Sequence, residues 1–94
     1  MLDKKTKIIA TIGPASDNPE IISKMLAKGL DIARINMAHC KKESDFKSVI
    51  KTIRNESNRL KRHIGILMDL AGPKIRVDLD KIKASELIIK KNRE

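Results

Sequence analysis

The sequence predicts an α/β fold built on a parallel sheet, from the order of its apolar segments. Three short apolar runs, at 7–12, 30–37 and 64–69, have the length and composition of buried strands. Two longer segments, 19–28 and 43–62, lie between them and repeat their apolar residues at helical spacing. Strands that alternate with helices in this way form parallel sheets with right-handed crossovers. Both the doubly wound sheet and the eight-stranded α/β barrel have this order.

The first strand and the first helix are delimited by glycine, proline and asparagine. Gly13 and Pro14 end the strand. Asn18 is a favourable N-cap, and Pro19 suits the first helical position. Gly29 suits the C-terminal cap, so we expect a helix of about three turns between these signals. Its apolar stripe consists of Ile21, Ile22, Met25 and Leu26.

The rest of the chain continues the alternation. The segment 30–37 is too short for a stable helix and its residues suit burial, which predicts a second strand. A longer amphipathic helix and a third strand follow, and Gly72 and Pro73 end that strand. The pattern then indicates extended chain at 74–77 and another strand at 86–90. The stripe of the second helix consists of Phe46, Val49, Ile50, Ile53 and Leu60.

Composition narrows the classes of function. The net charge of +9 suits nucleic acid, an anionic membrane or a phosphorylated small molecule as partner, or simply the solvated faces of helices. Phe46 is the one aromatic residue, which argues against a stacking platform for single-stranded nucleic acid. Cys40 is the one cysteine, which excludes a disulfide framework and favours a reducing cytoplasm. The sequence has no apolar run long enough to span a bilayer, and the first strand lacks the glycine spacing of a nucleotide loop.

Polar and charged residues mark the ends of the second and third strands, where function gathers in both architectures. Because side chains alternate along a strand, Arg34 and Asn36 point to the same face of the sheet. A buried arginine there is explained about equally well by a structural salt bridge and by a bound ligand. Asp69 either pairs with Arg34 or Lys74, or offers its oxygens to a cation together with the Asn36 amide. In the second case Arg34 and Arg76 grip an anion, since guanidinium groups suit a bidentate hold on phosphate.

Three blocks of sequence accompany the three predicted strands. They are TKIIATIGPAS at 6–16, ARINMAHC at 33–40 and DLAGPKIR at 69–76. The blocks resemble the pyruvate kinases, which have Thr-Lys-Ile-Val-x-Thr-Ile-Gly-Pro-Ala-Ser, Ala-Arg-Leu-Asn-Phe-Ser-His-Gly and Asp-x-x-Gly-Pro-Glu/Lys-Ile-Arg. The order and the separations also agree, so the match over about residues 6–77 is specific.

The resemblance implies the first β-α-β-α-β portion of a (β/α)8 TIM barrel, incomplete in this chain. It also implies phosphoryl transfer between phosphoenolpyruvate and ADP, which yields pyruvate and ATP. Residues 1–77 would be the N-terminal part of the barrel domain, and 78–94 either the start of the family's inserted β-domain or a frayed tail. The implied site residues are Arg34 for the transferred phosphate, Asn36, His39 and Arg76 for the nucleotide, and Asn36, Asp69 and the Leu70 carbonyl for a monovalent cation.

Three positions depart from the family pattern. Ala38 replaces a serine that usually binds the cation, and Cys40 replaces a glycine after the second strand. Lys74 stands where potassium-dependent members have glutamate. A lysine ammonium can supply the charge of K⁺, so we expect Lys74 to substitute for the ion and the activity not to need potassium.

The catalytic lysine and the carboxylates that hold Mg²⁺ lie on later strands of the family. The resemblance therefore implies no catalytic residue in this segment and magnesium ligands outside it. Because a full barrel needs about 250 residues, we expect a truncated gene, part of a split gene or a fragment, inactive alone. The family is cytoplasmic and tetrameric, with phosphoenolpyruvate or pyruvate and ADP or ATP as partners, and without membrane or nucleic acid. The alternatives are a non-catalytic remnant and a basic module that binds phosphate or nucleic acid.

Overall fold

A computed structural model describes residues 4–77, and it confirms the predicted alternation of strands and helices. The strands are shorter than predicted at one or both ends, and the second helix ends two residues earlier than the expected position 62. The strand predicted at 86–90 and the expected division after residue 77 lie outside the described residues. The elements are β1 (Ile9–Thr11), α1 (Pro19–Lys28), β2 (Ile32–Asn36), a 3₁₀ turn (Met37–His39), α2 (Glu43–Leu60) and β3 (Gly65–Asp69).

The three strands form one parallel sheet in the order β1-β2-β3, so β2 is central. The register places Ala10 beside Ala33 and Ala33 beside Ile66. One residue further on, Thr11 lies beside Arg34. Because side chains alternate along a strand, the alanine row and the row that contains Thr11 and Arg34 face opposite sides of the sheet.

Both helices cover the face that carries the alanine row. Ala33 is fully buried and Ile35 is 3% exposed, which confirms the prediction that these two side chains face the helices. Ile22 and Leu26 of α1 and Ile53 of α2 are fully buried in the same cluster. Helices packed on one side leave the other face of the sheet open, where Arg34 lies among the exposed apolar residues Ile9 and Leu67. The core cluster consists of Ile12, Ile22, Leu26, Leu30, Ala33, Ile53 and Ile64.

The first helix has the caps that its sequence predicts. Asn18 Oδ1 accepts a hydrogen bond of 2.9 Å from the Ile21 amide, and Pro19 is the first helical residue. Gly29 has a φ of 118°, in the left-handed region that glycine reaches without strain, and its amide donates to the Leu26 carbonyl. The bounds 19–28 therefore agree with the prediction because every cap lies within a few residues of the helix.

The second helix is closed differently at its two ends. Asp45 Oδ2 accepts 3.0 Å hydrogen bonds from the amides of Lys41 and Lys42 at the start. At the other end Lys61, with a φ of 54°, takes the left-handed position that glycine usually fills. Ser57 is 6% exposed and its hydroxyl donates to the carbonyl of Arg62, which fixes the turn into β3.

A cluster of ion pairs and hydrogen bonds around Asp31 stabilises the N-terminal end of the sheet, where the three strands begin. Asp31 Oδ2 accepts from Lys4 Nζ at 2.6 Å and from the Ile8 amide at 2.8 Å. Its Oδ1 lies 3.4 Å from Arg62 Nη2, and Arg62 also donates to the Leu26 carbonyl. The hydrogen bond from Lys4, followed by the one from the Ile8 amide, lowers the pKa of Asp31 below its usual 3.8. This cluster joins the chain before β1 to the end of α1 and the start of β3.

Within residues 4–77, neither helix is long and apolar enough to cross a membrane.

Candidate active site

The face of the sheet that the helices leave open carries polar and charged side chains at the C-terminal ends of the strands. Thr11 is the last residue of β1, Arg34 and Asn36 are near the end of β2, and Asp69 ends β3. Thr11 is in register with Arg34, and Asn36 is in register with Asp69. The structure therefore brings together Arg34, Asn36 and Asp69, as the alternation in the sequence predicted for the first two.

Arg34 is held from both sides by its neighbouring strands. Its Nε donates to Asp69 Oδ2 at 3.1 Å, and its Nη2 donates to the same oxygen. On the other side its Nη1 donates to Thr11 Oγ1 at 2.8 Å. Of the two pairings considered for Asp69, the structure shows the one with Arg34. The side chains of Arg34 and Asp69 are 33% and 42% exposed, so solvent and solutes reach the pair.

Asn36 shapes the turn that follows β2. Its Oδ1 accepts a hydrogen bond of 3.1 Å from the Ala38 amide, which starts the 3₁₀ turn. Its backbone carbonyl lies 3.6 Å from Cys40 Sγ, and His39 is exposed at the end of the turn. The replacement of the family's glycine by Cys40 is therefore accommodated without left-handed backbone, since the φ of Cys40 is −98°.

A cleft of about 720 Å³ opens beside this turn, between the loop after β1 and the first half of α2. Pockets of roughly 300–1,000 Å³ hold small ligands in other proteins. Asn36 and His39 both line the cleft, and Arg34 and Asp69 are not among its lining residues. The other lining residues are Thr11, Ile12, Gly13, Pro14, Asp17, Ile35, Cys40, Ser44, Asp45, Ser48, Val49 and Thr52.

The chain after β3 carries the remaining predicted site residues. Leu70 is 78% exposed, and Lys74 and Arg76 are exposed in irregular chain. The ion pairs between side chains of residues 4–77 include none from Lys74 or Arg76. Among the described residues, Lys74 is therefore not paired with Asp69, which was one of the two pairings considered for that aspartate.

Two of the three groups expected to bind a monovalent cation, the side chains of Asn36 and Asp69, accept hydrogen bonds within the chain. Asp69 Oδ2 takes two hydrogen bonds from a guanidinium, Asn36 Oδ1 takes an amide, and the Ala38 side chain has no oxygen. This arrangement does not fit a bound K⁺, because the Arg34 charge already neutralises the one carboxylate of the set. Across the described range 4–77, no three His, Cys, Asp or Glu side chains are grouped so as to hold a metal ion.

Sequence reasoning missed the hydroxyl that contacts Arg34. Thr11 lies at the end of β1 on the same face, but the strand pairing that puts it beside Arg34 involves residues 23 positions apart. The one signal in the sequence is the position of Thr11 immediately before the turn at residues 13–14. That signal places it at a strand end and does not name its partner.

Comparison with known proteins decides the family. The family model for the pyruvate kinase barrel domain matches residues 3–94. The chain belongs to the pyruvate kinase family. It is 51% identical over 76 residues to a pyruvate kinase of Methylorubrum extorquens, covering 79% of this chain and 15% of that protein. It is 47% identical over 87 residues to the enzyme of Thermococcus litoralis, covering 93% of this chain and 18% of the relative.

A solved structure agrees with this assignment. A pyruvate kinase from Cryptosporidium parvum superposes with a TM-score of 0.67 and 38% identity, over 73% of this chain and 14% of that one. The chain spans 12% to 18% of the length of the curated pyruvate kinases it matches. The resemblance seen in the three sequence blocks is thereby confirmed. Members of the family are transferases that generally depend on Mg²⁺ and K⁺.

Proposed function

We propose that this chain contributes the phosphate-binding end of a pyruvate kinase barrel, where a phosphoryl group passes between phosphoenolpyruvate and ADP. It would supply the first three strands and two helices of a (β/α)8 barrel. A doubly wound sheet reverses its strand order and has helices on both faces. The described strands run in sequence order with both helices on one face, an arrangement that a barrel and one half of a doubly wound sheet share. The match to the family model for the pyruvate kinase barrel domain is what supports the barrel.

The observation that carries the proposal is that a solvent-accessible guanidinium and a ligand-sized cleft lie next to each other at the C-terminal end of β2. Arg34 lies on the face of the sheet that the helices leave open, and its partly exposed guanidinium is accessible to solutes. Asn36, two residues further on, lines the cleft together with His39. We assign Arg34 to the transferred phosphate, and Asn36 and His39, with Arg76, to the nucleotide phosphates. The donor and the acceptor of the phosphoryl group would then meet at the end of β2.

This arrangement matches what phosphoryl transfer requires. The reaction depends on positioning the phosphate and the attacking oxygen and on neutralising negative charge. Arg34 can present two parallel N–H groups to phosphate oxygens. Mg²⁺, whose ligands we place outside this segment, would supply further charge neutralisation when bound. Lys74 would supply the charge of a monovalent cation from just beyond the turn at residues 72–73.

Further features of the complete protein follow from the family and stay proposals. We propose a cytoplasmic homotetramer whose partners are phosphoenolpyruvate or pyruvate and ADP or ATP, without membrane or nucleic acid. Residues 1–77 would belong to the barrel domain, and 78–94 would begin the inserted β-domain or form a tail. The ligands of a monovalent cation would be Asn36, Asp69 and the Leu70 carbonyl, and in this chain the Lys74 ammonium would take the place of the K⁺ ion.

Binding to the 94-residue chain tests the assignments. The ¹⁵N-labelled chain is titrated with phosphoenolpyruvate and, separately, with ADP. We expect phosphoenolpyruvate to move the Arg34 side-chain Nε–H resonance, and ADP to move the amides of Asn36 and His39. Arg34→Ala, which has no such resonance, should abolish the binding of phosphoenolpyruvate measured by calorimetric titration and leave the response to ADP. We expect no pyruvate formation by the chain alone, since the catalytic lysine is assigned to later strands.

The same titrations separate the rival functions. Binding of both ligands without turnover fits a segment of the enzyme or a remnant of it. Tight, salt-sensitive binding of nucleic acid regardless of sequence, with no response to either ligand, would replace the proposal with a basic binding module. Pyruvate formation that persists after rigorous removal of contaminating enzyme would contradict the assignment of the catalytic groups to later strands.

A further inference from the structure

Thr11 contacts the one side chain to which we assign the substrate phosphate. Its Oγ1 accepts 2.8 Å from Arg34 Nη1, and the register of β1 and β2 sets the two residues side by side. Asp69 accepts from the opposite edge of the same guanidinium, through Nε and Nη2. The three strands of the sheet therefore each contribute one member of a chain of contacts, with Arg34 at its centre.

The two partners of Arg34 differ in charge, and so they differ in what a phosphate does to them. Asp69 is an anion that neutralises Arg34, so it competes with an incoming phosphate for the same guanidinium edge. The Thr11 hydroxyl is neutral and accepts a hydrogen bond without cancelling the positive charge. A phosphate that takes the place of Asp69 thus leaves the contact with Thr11 intact.

We propose that Thr11 is a positioning residue, which holds Nη1 of Arg34 while the Nε–Nη2 edge passes from Asp69 to the substrate phosphate. The inference rests on the proposed role of Arg34. Without Thr11, a guanidinium released by Asp69 is free to turn about its long flexible side chain, and the entropy lost on binding phosphate rises. With Thr11, the edge that can grip two phosphate oxygens is already oriented.

Thr11→Val is the direct test, because valine keeps the shape and strand preference of threonine and removes the acceptor. The probe is phosphoenolpyruvate added to the labelled 94-residue chain, with the Arg34 Nε–H resonance as readout. We expect Thr11→Val to weaken binding about threefold to tenfold, the range for the loss of one ordinary hydrogen bond at an exposed position. Thr11→Ser keeps the hydroxyl and should stay within about twofold of the original chain.

Two controls separate positioning from a general effect on the fold. Thr6→Val makes the same change at an exposed threonine that precedes β1, and it should leave binding unchanged. Thr11→Ala removes the hydroxyl by a second route, and it should weaken binding as Thr11→Val does. In both hydroxyl-removing variants the midpoint of thermal unfolding should stay close to that of the original chain, which a purely structural role for Thr11 would not allow.

The outcomes distinguish this inference from the function on which it rests. If phosphoenolpyruvate moves the Arg34 resonance and Thr11→Val binds as tightly as the original chain, the role of Thr11 is wrong and that of Arg34 stands. Equal weakening by Thr6→Val and Thr11→Val also overturns the role of Thr11. If phosphoenolpyruvate leaves the Arg34 resonance of the original chain unmoved, both assignments are wrong.

Discussion

The two ends of the sheet each hold an aspartate against an arginine, but the surroundings of the two pairs differ. At the N-terminal end Asp31 is 16% exposed and accepts from Lys4, from the Ile8 amide and from Arg62. At the C-terminal end Asp69 is 42% exposed, and its bonds from Arg34 both reach a single oxygen. The first aspartate is enclosed by three segments of chain, whereas the second is reached by solutes.

This difference indicates that the pair at the N-terminal end of the sheet stabilises the fold, whereas the pair at the C-terminal end is open to a ligand. An enclosed carboxylate with several donors cannot change partners without opening the fold, so its contacts stabilise the folded state. An exposed ion pair contributes little to stability, about 0–1 kcal/mol, and can exchange one partner for a solute at small cost. The strand ends on the C-terminal side are therefore the ones available for binding, as barrels of this class require.

The largest effect we expect is on stability, from loss of the Asp31 charge. Asp31→Asn removes the negative charge that pairs with Lys4 and Arg62, and it replaces one carboxylate oxygen by an amide nitrogen that cannot accept a hydrogen bond. Its midpoint of thermal unfolding should fall further than that of Asp69→Asn, whose change in unfolding free energy should stay within about 1 kcal/mol. Thermal unfolding followed by circular dichroism measures both. Equal losses in the two variants would remove the distinction between the two ends.

Acid should act mainly through the N-terminal end. The lowered pKa of Asp31 means that the folded state holds this proton less tightly than the unfolded chain does. The stabilisation is therefore complete above the usual pKa of 3.8 and is lost as the pH falls from there through the lower folded value. Urea titrations between pH 6 and about 2 should show this acid limb, and Asp31→Asn should flatten it. An unchanged limb in Asp31→Asn would assign the acid sensitivity to other carboxylates.

The sequence was sufficient for the helices wherever their signals were local. Asn18, Pro19 and Gly29 lie next to the residues they delimit, and α1 has the predicted bounds. The end of α2 was placed two residues too late, since Lys61 takes a left-handed conformation without a glycine to announce it. Alternation along β2 likewise gave the facing of Ala33, which a local pattern determines.

The contacts of the charged residues needed the tertiary fold. From the sequence, Asp69 could pair with Arg34, with Lys74 or with a metal cation. The register of β2 and β3 sets Asp69 beside Asn36, and it is this pairing of strands that brings Arg34 within reach of Asp69. Asp31 was missed altogether, because its partners Lys4 and Arg62 come from segments 27 and 31 residues away. Such pairs have no period or spacing that a sequence pattern can reveal.

Exchange of Arg34 between Asp69 and a phosphate gives a smaller effect, on ligand affinity. Asp69→Asn removes the anion that competes for Arg34, so phosphoenolpyruvate should bind the 94-residue chain up to about fivefold more tightly. Glu20→Gln, an equal change of charge at an exposed position of α1, should have less effect and provides the control. Calorimetric titration measures both affinities. Weaker binding in Asp69→Asn would mean that this aspartate orients Arg34 for phosphate instead of competing with it.

The smallest effect we expect concerns potassium. Lys74 is exposed and has no ion pair with another side chain of residues 4–77, so its charge acts through solvent and its influence on phosphate binding should be about twofold.

Binding of phosphoenolpyruvate to the original chain should be the same in potassium and in tetramethylammonium salts. Lys74→Glu combined with Ala38→Ser brings back the carboxylate and the hydroxyl of the potassium-dependent pattern, and binding by this variant should respond to potassium. Lys51→Glu combined with Ala38→Ser makes the same change of charge on the exposed face of α2 and should not respond. An original chain that binds phosphoenolpyruvate only when potassium is added would show that the ion, and not Lys74, supplies the additional positive charge. Asp69 would then have to release Arg34 before it could bind the cation.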